Sequence, residues 1–202
     1  MKVIVRPEFL FFYYYHAANN ASDEVLKHKL PHSLYHAITS LILWQCVFES
    51  YANYQIRLYK LEDYQVPRRN SDSVMLPKAS IKEKWIHLPI ARRKPQFTLN
   101  KEPFTHFARL IALRNDFIHF NEKALSFEKN APSAVQTVGD IMNWTKTGEF
   151  LSGSIYGGAL RYAIAGKVIV RDMFKEYSRL TKDPLPDFLG ETEVVLKVKI
   201  KK

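Results

Sequence analysis

The sequence lacks the residues and runs on which several common protein classes depend. It has one cysteine, Cys46, which can form neither an internal disulfide nor a thiolate metal site. No run of about 18 apolar residues occurs, so no membrane-spanning helix is expected. We find no internal repeat, no glycine-rich phosphate loop and no Walker motif. A disulfide scaffold is therefore excluded, and the sequence gives no support to a thiolate zinc protein, a P-loop enzyme or an integral membrane protein.

The composition is typical of a folded chain. Apolar residues make up 47% and aromatic residues 13% of the 202 residues, whereas disordered chains are poor in aromatics. This length predicts one domain over residues 1–202, with a helical core from about 22 to 181 and a basic tail at 190–202. The net charge of +10 favours polyanionic partners such as RNA, DNA or an anionic membrane, without identifying one.

An aromatic run at residues 9–15 follows Lys2 and Arg6, which is a superficial match to a signal peptide. Glu8 and the three tyrosines of the run argue against one, so the cytoplasm is the expected compartment. The run is too short for periodicity to decide between strand and helix, and residues 2–5 are strand-prone. Its side chains favour a place in the core over a base-stacking platform.

Apolar spacing predicts a helical protein. Ser22, followed by two acids, is the expected N-cap of a short helix that ends before Pro31. Residues 33–63 contain neither glycine nor proline and repeat apolar residues every three or four positions, which predicts a long helix. The middle of that helix is apolar nearly all round, so we expect it at the centre of a bundle or at a subunit interface.

Loops and caps divide the middle of the chain. Residues 67–78, with two prolines and a polar cluster, predict a loop. Ser80 and Glu83 have the spacing of a capping box, which predicts a short helix that stops near Pro89. Asn100 is the expected cap of the next helix.

Two more helices are predicted at 138–144 and 154–180. The second contains three glycines: Gly157, Gly158 and Gly166. Each weakens a helix by about 1 kcal/mol relative to alanine, so either close packing explains them or the helix breaks near Gly166. Residues 194–202 alternate apolar residues with lysine, as an edge strand or a basic tail does. The predicted fold class is all-α with short strand-like or irregular ends.

The segment Leu110 to Phe120 runs an apolar helix into Arg114, a polar Asn115 and, shortly after, His119. It resembles the signature of the HEPN family, in which an apolar helix leads to an arginine, usually a polar neighbour, and then a histidine. Because this chain is rich in both residue types, the spacing alone would arise by chance, and the helical context carries the resemblance.

The upstream sequence adds to that resemblance. The long helix with Glu49 and Asn53, and the Glu83-Lys84-Trp85 segment before Pro89, are similar to the first half of some HEPN proteins. The resemblance covers residues 34–120.

Membership of this family implies an antiparallel four-helix core and a homodimer that brings two Arg/His motifs into one cleft. In catalytic members the cleft cuts RNA without metal or cofactor, and toxin or phage-defence roles, often with a neutralising antitoxin partner, are common. Other members have no nuclease activity. The alternative is therefore a non-catalytic module that binds a nucleotide, RNA or a protein partner.

The residue types suit RNA cleavage independently of the family. A guanidinium grips phosphate oxygens with a planar fork, and an imidazole exchanges protons near neutral pH, so Arg114 and His119 are the expected catalytic pair. Asn115 is a candidate to bind substrate or orient His119, and Asp116 to orient it, although a carboxylate repels phosphate. Residues five apart on a helix point about 140° from each other, so either the helix distorts or two subunits share the cleft.

Structural interpretations stand beside these functional ones. Arg114 and Asp116 are also typical of solvated charges at a helix end, and His119 of a half-buried histidine. Glu49 and Asn53 share one helix face, where they either reach the cleft or form a buried hydrogen-bonded pair.

Two further groups of residues are candidates for binding. The basic connector Arg92, Arg93 and Lys94 suits an RNA backbone, although a solvated loop explains it better. Three histidines at intervals of four residues suit a metal, namely His28, His32 and His36. Pro31 interrupts their helix, so no metal site is predicted.

Overall fold

The computed structural model describes residues 7–28, 32–68, 72–118, 155–186 and 189. The described part consists of five helices packed together with one small hairpin. The helices are α1 (Pro7–Val25), α2 (His32–Leu58), α3 (Ile81–Ala91), α4 (Phe104–Ile118) and α5 (Ile155–Thr181). The hairpin pairs β1 (Gln65–Pro67) with β2 (Ser73–Met75), and a short 3-10 turn at Leu76–Lys78 follows it. The all-α prediction is confirmed.

Helix α2 is the centre of the bundle, as its apolar circumference predicted. The other four helices all pack against it, and α5 also packs against α1 and α4. Its large buried side chains, Trp44 and Phe48 among them, are fully enclosed. Phe48 meets Trp85 of α3 and Phe107 of α4 edge-on, so aromatic rings join three helices at the middle of the core. None of the described helices is long and apolar enough to span a membrane.

The aromatic run at 9–15 belongs to α1, which continues without interruption through Ser22. The prediction that Ser22 caps a new helix was therefore wrong. Its hydroxyl is buried inside the bundle, 2.9 Å from the Ala18 carbonyl one turn earlier and 2.8 Å from the Ala163 carbonyl of α5. A serine can form this back-bond within a helix, so its preference for caps does not decide its position.

The prediction of a loop over residues 67–78 was wrong in part, because β2 and the 3-10 turn occupy its second half. In the register of the hairpin, Val66 is opposite Val74 and Val66 is buried. The capping box is confirmed: Ser80 Oγ accepts from the Glu83 amide, and the Glu83 carboxylate accepts from the Ser80 amide at 2.7 Å. Helix α3 passes Pro89 and ends at Ala91.

Helix α4 begins at Phe104, so Asn100 lies outside it and is not its cap. Its first turn is closed by backbone bonds from the Thr105 amide to Lys101 and from the Phe107 amide to Pro103. The predicted cap was wrong because a polar residue near a helix start favours the cap position without fixing it.

Helix α5 is unbroken from Ile155 to Thr181, so the predicted break near Gly166 is wrong and the close-packing alternative is confirmed there. A Cβ atom on Gly166 would lie 2.1 Å from Nε1 of Trp44. That indole nitrogen donates to the Ala163 carbonyl at 3.2 Å, which holds α5 directly against α2. The predicted elements at 2–5, 138–144 and 194–202 lie outside the described residues, as does the tail at 190–202.

Candidate active site around Arg114

Arg114 lies in the last turns of α4, on a helix that its apolar residues hold in the core. Leu110, Ile111 and Leu113 are all buried. The helix packs against both α2 and α5, and it remains helical through Ile118. Arg114 is half-buried, so its guanidinium is placed at the edge of the core and not on a freely solvated helix end.

The guanidinium of Arg114 is incompletely satisfied. Its Nη1 donates to Oδ1 of the neighbouring Asn115 at 3.1 Å, and its buried Nε has no hydrogen-bond partner among the described residues. A guanidinium offers five donors, and a buried unpaired donor costs about 1–3 kcal/mol. A buried donor left unpaired in this way calls for an explanation, and an anionic ligand that the side chain turns to meet would satisfy it. Asn115 contacts Arg114, and its expected roles in binding substrate or orienting His119 stay predictions.

Asp116, which follows Asn115, is half-buried. His119 lies outside the described residues. The structure therefore places one member of the expected catalytic pair and leaves the second as a prediction.

A groove runs along α2 beside this region. It has a volume of about 280 Å³ and is lined by Leu10 and Tyr14 of α1 and by Cys46, Glu49, Asn53 and Arg57 of α2, among others. Burial raises the pKa of the Cys46 thiol, Glu49 adds to that rise, and the positive charge of Arg114 opposes it. The thiol is therefore protonated at neutral pH and is not a nucleophile. Because Glu49 and Arg114 both act on this thiol, they lie around the same stretch of α2.

Glu49 and Asn53 share a partner that sequence reasoning missed. The side chain of Lys84, from α3, is only 4% exposed, and its Nζ donates to Asn53 Oδ1 at 2.9 Å and reaches Glu49 Oε1 at 3.5 Å. An ammonium that is buried to this extent requires such partners. Glu49 and Asn53 thus line the groove and share the buried Lys84 ammonium, although the side chain of Glu49 is itself 46% exposed.

The sequence carried a signal for Lys84. It stands three residues after Ile81 and four before Leu88, both buried, so helical spacing puts it on the apolar face of α3. A lysine on a core face needs an acceptor, and the Glu49/Asn53 face was the available one. Nothing in the sequence alone brings α2 and α3 together.

The basic connector divides into a structural and an exposed part. Arg92 forms a two-pronged ion pair with Asp183, with Nη2 2.8 Å from Oδ1, and donates to the Tyr177 hydroxyl at 2.9 Å. Its guanidinium also stacks 3.5 Å above the ring of Tyr59. These contacts occupy Arg92 within the fold. Arg93 and Lys94 are exposed and remain predicted RNA contacts.

A second cavity, of about 560 Å³, lies between the start of α4 and α5. There His106 Nε2 is 2.8 Å from Glu102 Oε1 and its Nδ1 is 3.1 Å from the Tyr162 hydroxyl. The side chains of His106 and Glu102 are 45% and 75% exposed, as in a solvated surface pair of little stabilising value. Arg114, with its buried and unpaired Nε, is therefore the stronger candidate.

No protein-family model, no curated protein and no solved structure matches this chain. The similarity to HEPN proteins accordingly rests on the residues quoted above.

Proposed function

We propose that this chain is a metal-independent endoribonuclease of HEPN type, in which Arg114 and His119 act on one phosphodiester. The observation that carries the proposal is the state of Arg114: a half-buried guanidinium, held on one side by Asn115, with a buried Nε that no described residue satisfies. The charge of Arg114 acts on Cys46, which lines a groove of mixed apolar and polar side chains, and in this proposal RNA lies along that groove.

The reaction is an internal transfer at phosphorus. The ribose 2′-oxygen forms a bond to the adjacent phosphorus while the bond from phosphorus to the 5′-oxygen of the next nucleotide breaks. A base removes the proton of the 2′-hydroxyl and an acid protonates the departing 5′-oxygen, and His119 takes one of these roles. Arg114 donates to the phosphate oxygens on which negative charge develops. The products are a 2′,3′-cyclic phosphate and a free 5′-hydroxyl.

Two copies of the chain complete the cleft in this proposal. Helix α4 is regular through Ile118, so Arg114 projects from an undistorted helix. A residue five positions later on such a helix would point about 140° away. A two-fold dimer removes this difficulty, because Arg114 of one subunit then acts with His119 of the partner subunit.

The charge of the chain supports a polyanionic substrate. At a net charge of +10, a long-range field draws RNA toward the surface, and exposed Arg93 and Lys94 are candidates to contact its backbone. The role as a toxin or defence effector with a neutralising partner stays part of the proposal that the resemblance suggests.

The test is to incubate the purified protein with labelled RNA in excess EDTA and to map the ends formed. Arg114→Ala and His119→Ala are compared with Arg109→Ala, an exposed arginine on the same helix, and His16→Ala, an exposed histidine of α1. We expect cyclic-phosphate ends, loss of cutting in the first two variants only, and no cutting of RNA whose target nucleotide lacks the 2′-hydroxyl. RNA binding without cutting, unchanged in all variants, would identify a non-catalytic module instead.

A further inference from the structure

Three metal-ligand side chains meet where α1 ends and α2 begins. They are Glu24, in the last turn of α1, His28 just after that helix, and His36 in the second turn of α2. One ligand atom from each lies within 4.8 Å of the other two. Glu24 Oε2 is 3.0 Å from His28 Nε2, and the rings of His28 and His36 stack with centroids 4.9 Å apart. A proline in the sequence between them does not prevent this cluster, because Glu24 belongs to α1 and His36 to α2.

We propose that Glu24, His28 and His36 bind one divalent transition-metal ion of the zinc class. Two imidazoles and a carboxylate are the donors that such ions prefer, whereas calcium and magnesium take oxygen donors. Bonds of about 2.0–2.1 Å in a tetrahedral site place ligand atoms roughly 3.3 Å apart. Glu24 and His28 already have that separation, and a small rotation of the exposed His28 and half-buried His36 side chains brings in the third donor.

A fourth residue, Lys27, places a positive charge beside the three ligands and allows a specific prediction. Lys27 Nζ lies 2.7 Å from Glu24 Oε1, the carboxylate oxygen that does not face His28. A positive charge at this distance opposes binding of a cation without supplying a ligand. Removing Lys27 should therefore strengthen metal binding, which loss of a ligand would not do.

A metal at this position would connect α1 to α2. The residues next in sequence to two of its ligands are buried in the core. Val25 follows Glu24 and is buried, and Ala37 follows His36 and is buried. Because binding requires the folded arrangement of both helices, bound metal stabilises the fold by mass action. The site is separate from Arg114: His36 and Cys46 are about 15 Å apart along α2 at 1.5 Å per residue.

The experiment uses untagged full-length protein, first stripped with a chelator that is then removed. Zn²⁺ binding is measured by calorimetry, and Co²⁺ is used as a coloured probe whose visible spectrum reports nitrogen and oxygen ligands. We expect one ion per chain. A 100-fold excess over the dissociation constant should raise the melting temperature by about 5 °C or more.

The variants separate a built site from nonspecific binding. His28→Ala and His36→Ala should weaken Zn²⁺ binding about 10-fold or more and lose the thermal shift, and Glu24→Gln should weaken it as well. His16→Ala should bind as the wild type does, and Lys27→Ala should bind more tightly.

Absence of saturable binding, or equal binding by the wild type, His28→Ala and His36→Ala, would overturn the proposal. Metal-free circular dichroism confirms that each variant folds. RNA cleavage in EDTA is independent of all these outcomes, so the two proposals fail separately.

Discussion

Replacing Gly166 by alanine should destabilise this protein even though alanine is the better helix former. The added Cβ would lie 2.1 Å from Nε1, 2.3 Å from Cδ1 and 2.6 Å from Cε2 of Trp44. That indole is fully buried and donates to Ala163 and Ser22, so it has no room to rotate away. Helix α5 must then move outward and give up close packing against α2.

The magnitudes decide the sign of this effect. Overpacking a core costs about 1–3 kcal/mol, and loss of the Trp44 hydrogen bonds adds about 1 kcal/mol. Alanine returns about 1 kcal/mol through helix propensity. The net prediction is a loss of about 1–3 kcal/mol in the free energy of unfolding. Each kcal/mol lowers the melting temperature of a chain of this size by about 2–4 °C.

Urea denaturation followed by circular dichroism measures this loss, and Gly158→Ala is its matched control. At Gly158 the new Cβ would lie 3.1 Å from the end of the Leu113 side chain, which can give by a few tenths of an ångström. That variant should stay within about 1 kcal/mol of the wild type, since propensity offsets the contact. In a Trp44→Phe background the cost of Gly166→Ala should shrink. A Gly166→Ala protein as stable as the wild type would refute the packing of α5 on Trp44.

Three further predictions concern stability and reactivity. Burial acts to raise the pKa of Asp183, but hydrogen bonds from Arg92 and Tyr59 outweigh it and hold that pKa below its ordinary 3.8. Asp183→Asn should therefore lower the free energy of unfolding by about 3 kcal/mol at neutral pH. That difference should persist at higher pH and disappear as the pH falls through the lowered pKa, as urea titrations of both proteins from pH 7 to 2 will show; a constant difference would contradict it. Ser80→Ala should lower the free energy of unfolding, measured by calorimetry, by about 1 kcal/mol, and Ser80→Asp should lower it much less, because only aspartate keeps a cap acceptor. Equal losses in the two variants would exclude the capping box. The half-buried Cys46 thiol, whose pKa is raised, should react with iodoacetamide at neutral pH several-fold more slowly than after unfolding in urea. Equal rates would contradict its partial enclosure.

The parts of the fold that sequence predicted are those governed by local rules. The periodic apolar run of α2 and the paired side chains of Ser80 and Glu83 depend only on residues a few positions apart, and both are confirmed. The prediction that Ser22 caps a helix was wrong because a serine hydroxyl can also donate to a carbonyl inside a helix. Which of these a serine does depends on what packs around it, here Ala163 of a helix over a hundred residues later.

The candidate site shows the same division. Helical spacing placed Arg114 correctly at the end of an apolar helix, and placed Glu49 and Asn53 on one face of α2. The partners across helices were not predictable, since neither the contact of Lys84 with Asn53 nor the ion pair between Arg92 and Asp183 follows from any local pattern. The basic connector read as a solvated loop, yet Arg92 is 9% exposed in its side chain and belongs to the fold.

The most direct test of the central claim is the rate of RNA cleavage in excess EDTA by the wild type and three single variants. General acid–base catalysis contributes about 10²–10⁴-fold and one donor to a developing negative charge about 10²–10³-fold, so we expect His119→Ala and Arg114→Ala each to cut at least about 100-fold more slowly. Arg109→Ala should cut within about 2-fold of the wild type, because its side chain is exposed on α4 and is not assigned to the site. Arg114→Ala and His119→Ala proteins that fold and cut RNA at the wild-type rate would contradict it.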